Sequence, residues 1–270
     1  MSQVVGRRSE GTSRRWLPHG TFTELEFAGL PEPVCRYFAA AIAPGVPLDG
    51  AVQVDIEGHV RRRHLWTPFR AHYEITRHFD FLGVGAAVQF GAGFERYVAG
   101  VAKRRAGLAG IIPLRDHGGG DVWRSPAGRA ALGGVLLPTA LLPRFGVAWT
   151  ARERNGIQGT FRVNDVPIHL RLCIDGDGRV LSATVDRWGD PNGIGRWGWH
   201  PFGAMFSADK YYAGLTVPGA GRAGWYMGTD RWRDGEVLRF RIAAIRRIRE
   251  GERVIQTSAQ RPNVTEVTRA

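Results

Sequence analysis

The chain has 270 residues, 43% of them apolar and 23% charged, and 37 Lys plus Arg against 25 Asp plus Glu give it a formal charge of +12. A chain of that size buries roughly three quarters of its unfolded surface and needs no covalent staples. Its only cysteines, Cys35 and Cys173, exclude a disulfide scaffold and a four-cysteine zinc site.

Met1 to Arg15 carries Arg7, Arg8, Arg14 and Arg15 with no apolar run behind them, unlike a secretory signal, and residues 1–20 read as a loose tail of a cytoplasmic chain. Glu32 to Ile42 follows Pro31, presents Val34, Tyr37, Phe38, Ala41 and Ile42 at helical spacing and stops at Pro44-Gly45, which predicts a short N-terminal helix. From Ala51 to Arg62 the residues Val52, Val54, Ile56 and Val60 alternate with polar neighbours, the period of a half-buried strand. The alternation returns at Tyr73, Ile75, Phe79 and Phe81 against His72, Glu74, His78 and Asp80, which predicts a second strand with one polar row. A further strand is expected at Ala87 to Tyr97. Ser125 can cap a second helix with Pro126 at its first position, running toward Leu142 and bent at Gly133-Gly134 and Pro138. Even its apolar end, Val135 to Leu142, is far shorter than the roughly 20 residues of a membrane helix, so no transmembrane segment is expected.

Strands follow at Val147 to Arg154 and Gly159 to Asn164, and Val166 to Asp186 reads as a hairpin turning at Gly176-Asp177-Gly178. Ala204 to Val217, Ala223 to Thr229 and Val237 to Ile248 complete the set, with tight turns at Asn155-Gly156 and Asp234-Gly235 and a loose tail over residues 257–270. No regular alternation of strand and helix appears, which disfavours a parallel sheet. The expected fold is a β-rich α+β domain over residues 21–256. It consists of a large curved antiparallel sheet, or incompletely closed β-barrel, with a long bent helix across its concave face.

The stretch Leu30-Pro31-Glu32-Pro33-Val34-Cys35-Arg36-Tyr37 with Pro44-Gly45-Val46-Pro47 resembles a bacterial family of unknown function. The likeness continues through Trp66-Thr67-Pro68-Phe69, Asp116 to Asp121, Leu137 to Pro143, Val147-Ala148-Trp149, Val185-Asp186-Arg187, Val217-Pro218 and Trp225. The resemblance implies no catalytic role. The resemblance implies a glutamate in the second helix, where this chain has Gly133.

Asp116, His117 and Asp121 surround three glycines and form the one loop that could hold a divalent metal, the basis of an alternative reading as a metal-dependent enzyme. Gly219-Ala220-Gly221-Arg222-Ala223-Gly224 has dinucleotide-loop spacing but lacks a strand-turn-helix context, so it reads as a glycine-rich hairpin turn. His72, Glu74, His78 and Asp80 read as a solvated row. The cations are spread in small groups, Arg61 to Arg63 and Arg246 to Arg249 among them, without a nucleic-acid-reading motif. Nucleic acid is therefore disfavoured, and an anionic surface remains a second alternative. No cofactor is expected. Nine tryptophans are the least ordinary feature. Trp66, Trp149, Trp188, Trp199, Tyr211 and Trp225, with Arg187 as an anchor for an acidic head group, are the expected lining of a pocket between sheet and second helix. The function so expected is non-enzymatic binding of a small apolar or amphiphilic molecule.

Overall fold

The computed structural model describes residues 20–48, 50–62, 64–87, 91–98, 101–108, 112–113, 120–153 and 155–248. The expected tails, residues 1–19 of the first and all of the second, lie outside these, as do Asp116 and His117. Among the described residues there are thirteen strands in one antiparallel sheet. They are β1 (Ala51–Arg62), β2 (Leu65–Thr76), β3 (Phe81–Ala87), β4 (Gly91–Val98), β5 (Val101–Leu108), β6 (Ile112–Pro113) and β7 (Ala148–Arg152). After them come β8 (Gly156–Val163), β9 (Val166–Ile174), β10 (Val180–Gly189), β11 (Gly198–Tyr212), β12 (Leu215–Trp225) and β13 (Glu236–Ile248).

The hydrogen-bonded order β6-β5-β4-β3-β2-β1-β13-β12-β11-β10-β9-β8-β7 consists of two meanders joined by the pairing of β1 with β13. The terminal strands β6 and β7 do not pair, so the sheet is not closed. It nonetheless curls, because residues near its two ends touch. Phe79, in the turn after β2, stacks on Phe161 of β8 at 4.8 Å. The Asn164 side chain, after β8, donates to the Tyr97 hydroxyl on β4 at 2.8 Å.

Helix α1 (Glu32–Ala41) begins behind Pro31 as expected and buries Val34, Tyr37, Phe38 and Ala41. Phe38 meets the Trp149 ring of β7 edge-on at 5.6 Å, and the indole Nε1 donates to the Leu141 carbonyl at 2.9 Å. Helix α2 (Gly120–Gly133) packs on β10 and β9. It starts earlier than Ser125 and ends earlier than Leu142, so Pro126 lies inside the helix rather than at its first position. Beyond Gly133 the chain continues as three short 3₁₀ turns, at Gly134–Leu136, Pro138–Leu141 and Pro143–Phe145. Repeated prolines account for the break, since each removes an amide donor that a continuous helix requires. No helix among the described residues is long and apolar enough to cross a membrane.

Two sequence expectations are corrected. The alternation from His72 to Phe81 crosses a turn: β2 ends at Thr76, Phe79 takes φ +60°, and β3 begins at Phe81. His72 and Glu74 stay on β2, where His72 Nδ1 lies 2.5 Å from Asp55, while His78 and Asp80 belong to the turn. The glycine-rich stretch Gly219 to Gly224 is the interior of β12, not a hairpin turn. A Cβ at Gly221 would strike the Met205 carbonyl and one at Gly224 the Gly235 carbonyl, so these glycines let β12 lie close to its neighbours.

Candidate functional site

At one end of β10, β11 and β12 the aromatic side chains gather around an arginine. Antiparallel register puts Arg187 opposite His200, Trp188 opposite Trp199, and Phe202 opposite Trp225. Arg187 Nε donates to the carbonyl and the hydroxyl of Ser125 on α2, at 3.1 and 3.2 Å. Its guanidinium carbon lies 4.6 Å from the centre of the Phe202 ring and 4.8 Å from that of Trp225. Contacts of this kind are worth about 0.5 to 2 kcal/mol each, depending on desolvation. Arg187 therefore fastens α2 to the sheet.

Trp188 and Trp199 meet edge to face at 5.4 Å, and the Arg124 guanidinium of α2 lies 5.6 Å from the Trp188 ring. Trp199 is 47% exposed, so this pair presents indole surface to solvent. His200 packs against the rings of Trp225 at 6.3 Å and Tyr226 at 5.7 Å. Tyr226 itself holds φ +60°, a conformation that costs a bulky L-residue about 1 to 2 kcal/mol. Its amide donates to Pro201 at 2.6 Å, its carbonyl accepts from Thr229 Oγ1 at 2.8 Å, and the Arg231 guanidinium covers its ring at 4.0 Å. Gly189 completes the arrangement, because a Cβ there would collide with the Trp225 indole. Side chains alternate between the faces of a strand, so Arg187, His200, Phe202 and Trp225 share one face of the sheet and Trp188 and Trp199 the other. The half-exposed Trp188–Trp199 pair beside Arg124 is a small aromatic shelf, able to stack a flat apolar body and attract an anionic group.

Of the expected lining the structure brings Arg187 together with Trp225 on one face of the sheet and Trp188 with Trp199 on the other, and separates the remaining three from both. Trp149 is buried in the core beneath α1. Trp66 on β2 lies under two arginines, with Arg239 at 4.4 Å and Arg61 at 5.6 Å from its ring. Tyr211 on β11 is 70% exposed, well along the strand from the shelf. His200, Phe202, Tyr226 and Arg231 were not among the residues expected. Finding them requires the register of β11 with β12, and that register depends on the turn at Ala213-Gly214, which runs inside what reads as a single strand from Ala204 to Val217.

The space between α2 and the strands is filled where described. A Cβ at Gly128 would lie 3.3 Å from Arg187, and one at Gly133 3.3 Å from Ile75, while Ala127, Ala130 and Ala131 are buried. At these two glycines the helix and the strands touch with no room for a ligand between them. A shallow hollow of about 10 Å³ lies elsewhere, beside Tyr37, Ala41, Arg179, Val180, Asp209 and Val217. Asp121 sits in the first turn of α2, but its side chain is outside the described set with Asp116 and His117. Among the described residues no group of three or more His, Cys, Asp or Glu could hold a metal ion.

A family model described as a family of unknown function, DUF6544, matches residues 20–236. The chain belongs to that family. The Leu30 to Tyr37 motif lies inside the matched segment, as do the site residues from Arg124 to Arg231. A comparison with curated proteins finds no match. Among solved structures the chain is similar to an outer membrane lipoprotein-sorting protein domain from Vibrio parahaemolyticus, at 8% identity and a TM-score of 0.27, over 74% of this chain and 87% of that one. A likeness that low carries no argument about this chain.

Proposed function

We propose that the chain binds a small amphiphilic molecule, without transforming it, on the shelf formed by Trp188 and Trp199 beside Arg124. The observation that carries this reading is the half-exposed Trp188–Trp199 pair beside Arg124. An apolar body covering about 200 Å² of such a surface gains about 5 kcal/mol gross, against an association cost of about 4 to 15 kcal/mol. Apolar contact alone is therefore insufficient on an open shelf. An anionic group near the Arg124 guanidinium adds the charge-assisted hydrogen bonds that make up the difference. An amphiphile with a carboxylate or phosphate end fits better than a neutral hydrocarbon. Native mass spectrometry of the protein purified from its own host tests this. The expected result is an added mass of a few hundred daltons that Trp188→Ala or Trp199→Ala removes. An unliganded spectrum, with tryptophan emission unmoved by medium-chain carboxylates, overturns it.

A further inference from the structure

The segment joining β10 to β11, residues 190–197, sets apolar side chains out in solvent. Ile194 is 64% exposed, Trp197 36% and the adjoining Trp199 on β11 47%. Ile194 stands between Gly193 at φ +67° and Gly195 at φ +81°, and the two left-handed glycines hold it at the tip of the turn. Asp190, the segment's one carboxylate, is turned inward, its Oδ2 accepting the Gly195 amide at 2.6 Å. Arg196, its one cation, is exposed, and Arg124 lies against the neighbouring Trp188. Neither Arg124 nor Arg196 joins an ion pair among the described residues. The segment is therefore apolar at its tip, aromatic at its flank and positive in its outward charge, on a chain whose formal charge is +12. Tryptophan and isoleucine enter the headgroup region of a bilayer, and arginine beside them pairs with anionic headgroups. A protein partner would be expected to meet a larger continuous apolar patch than one isoleucine and two indoles.

We infer that residues 190–199 dock the protein peripherally on an anionic lipid surface, with Ile194 and Trp197 inserted at the headgroup level and Arg196 and Arg124 against the lipid charge. This surface lies beside the shelf, and the inference holds whether or not the shelf takes a ligand. The test is flotation of the full chain with vesicles of phosphatidylcholine, alone or mixed with phosphatidylglycerol in roughly equal parts. The chain is expected to float with the mixed vesicles and not with the neutral ones, and its tryptophan emission to be quenched by brominated lipid in the mixed vesicles. Ile194→Asp with Trp197→Asp is expected to lower the bound fraction at least about tenfold with an unchanged circular dichroism spectrum, and Arg196→Glu to weaken binding less. Binding that persists in the double variant, or wild-type emission that brominated lipid leaves unquenched, overturns the inference. Self-association abolished by Ile194→Asp without any vesicle binding also overturns it, since the tip would then meet a second copy of the chain. Ile194→Asp with Trp197→Asp removes vesicle binding and leaves the added mass of the shelf ligand in place, so the two readings fail separately.

Discussion

The Asn164 side-chain amide donates to the Tyr97 hydroxyl across 2.8 Å, fastening the turn between β8 and β9 to β4 although those strands stand near opposite ends of the sheet. Asn164 also holds φ +53°, which asparagine and glycine tolerate and alanine does not. Replacing it with glycine removes only the hydrogen bond, at a cost of about 1 kcal/mol. Asn164→Ala adds the backbone strain and is expected to cost about 2 kcal/mol in urea unfolding. Equal losses from the two variants would assign the whole effect to the hydrogen bond.

Two buried tyrosines answer the same substitution differently. The Tyr212 hydroxyl donates to the Leu136 carbonyl at 2.6 Å, holding the first 3₁₀ turn after α2, whereas the Tyr37 hydroxyl is buried without a hydrogen-bond partner. Tyr212→Phe is expected to destabilise by about 1 to 3 kcal/mol, because it orphans a carbonyl. Tyr37→Phe is expected to be neutral or stabilising by about 1 kcal/mol. Thermal unfolding of the two variants checks the difference in sign.

Alkaline pH should act through the same residues. Burial pushes the phenols of Tyr37, Tyr97 and Tyr212 above their ordinary value of 10.0. At Tyr97 the Asn164 hydrogen bond works against that rise, while Asp80 and Asp165 add to it. A phenol raised in the folded state contributes stability that is complete below the unfolded pKa and is lost as pH climbs above about 10, where the unfolded chain releases its protons first. Phenolate absorbance is expected to show these three of the six tyrosines titrating only as the chain unfolds. Three independent titrations within the still-folded protein would refute the assignment.

Arg187→Lys retains the charge but loses the planar group lying against both Phe202 and Trp225. A cost of about 1 to 2 kcal/mol is expected, together with altered near-ultraviolet circular dichroism from Trp225. Unchanged spectra would mean that the rings hold their positions without the guanidinium.

Strand content was readable where one face meets the core and the other meets water, as in Ile168, Leu170 and Leu172 of β9. The alternation misled at Phe79, which is buried from within a turn and so continues the apolar rhythm beyond the end of β2. It misled again at Ala213-Gly214, where apolar residues on both sides conceal a hairpin. The site was half visible for that reason. Arg187, Trp188, Trp199 and Trp225 stand out by chemistry, but their neighbours His200, Phe202 and Tyr226 are assembled by cross-strand register, which composition does not encode.

The pairing of β1 with β13 sets the order in which this protein can be made. Each meander joins segments adjacent in the chain and can assemble while a ribosome is still adding residues. Glu236–Ile248, the last strand among the described residues, has to enter the middle of the sheet rather than its border. Until it does, β1 and β12 each expose an unsatisfied backbone edge, so the nascent molecule passes through a stage with two adhesive seams that close only when β13 has been made.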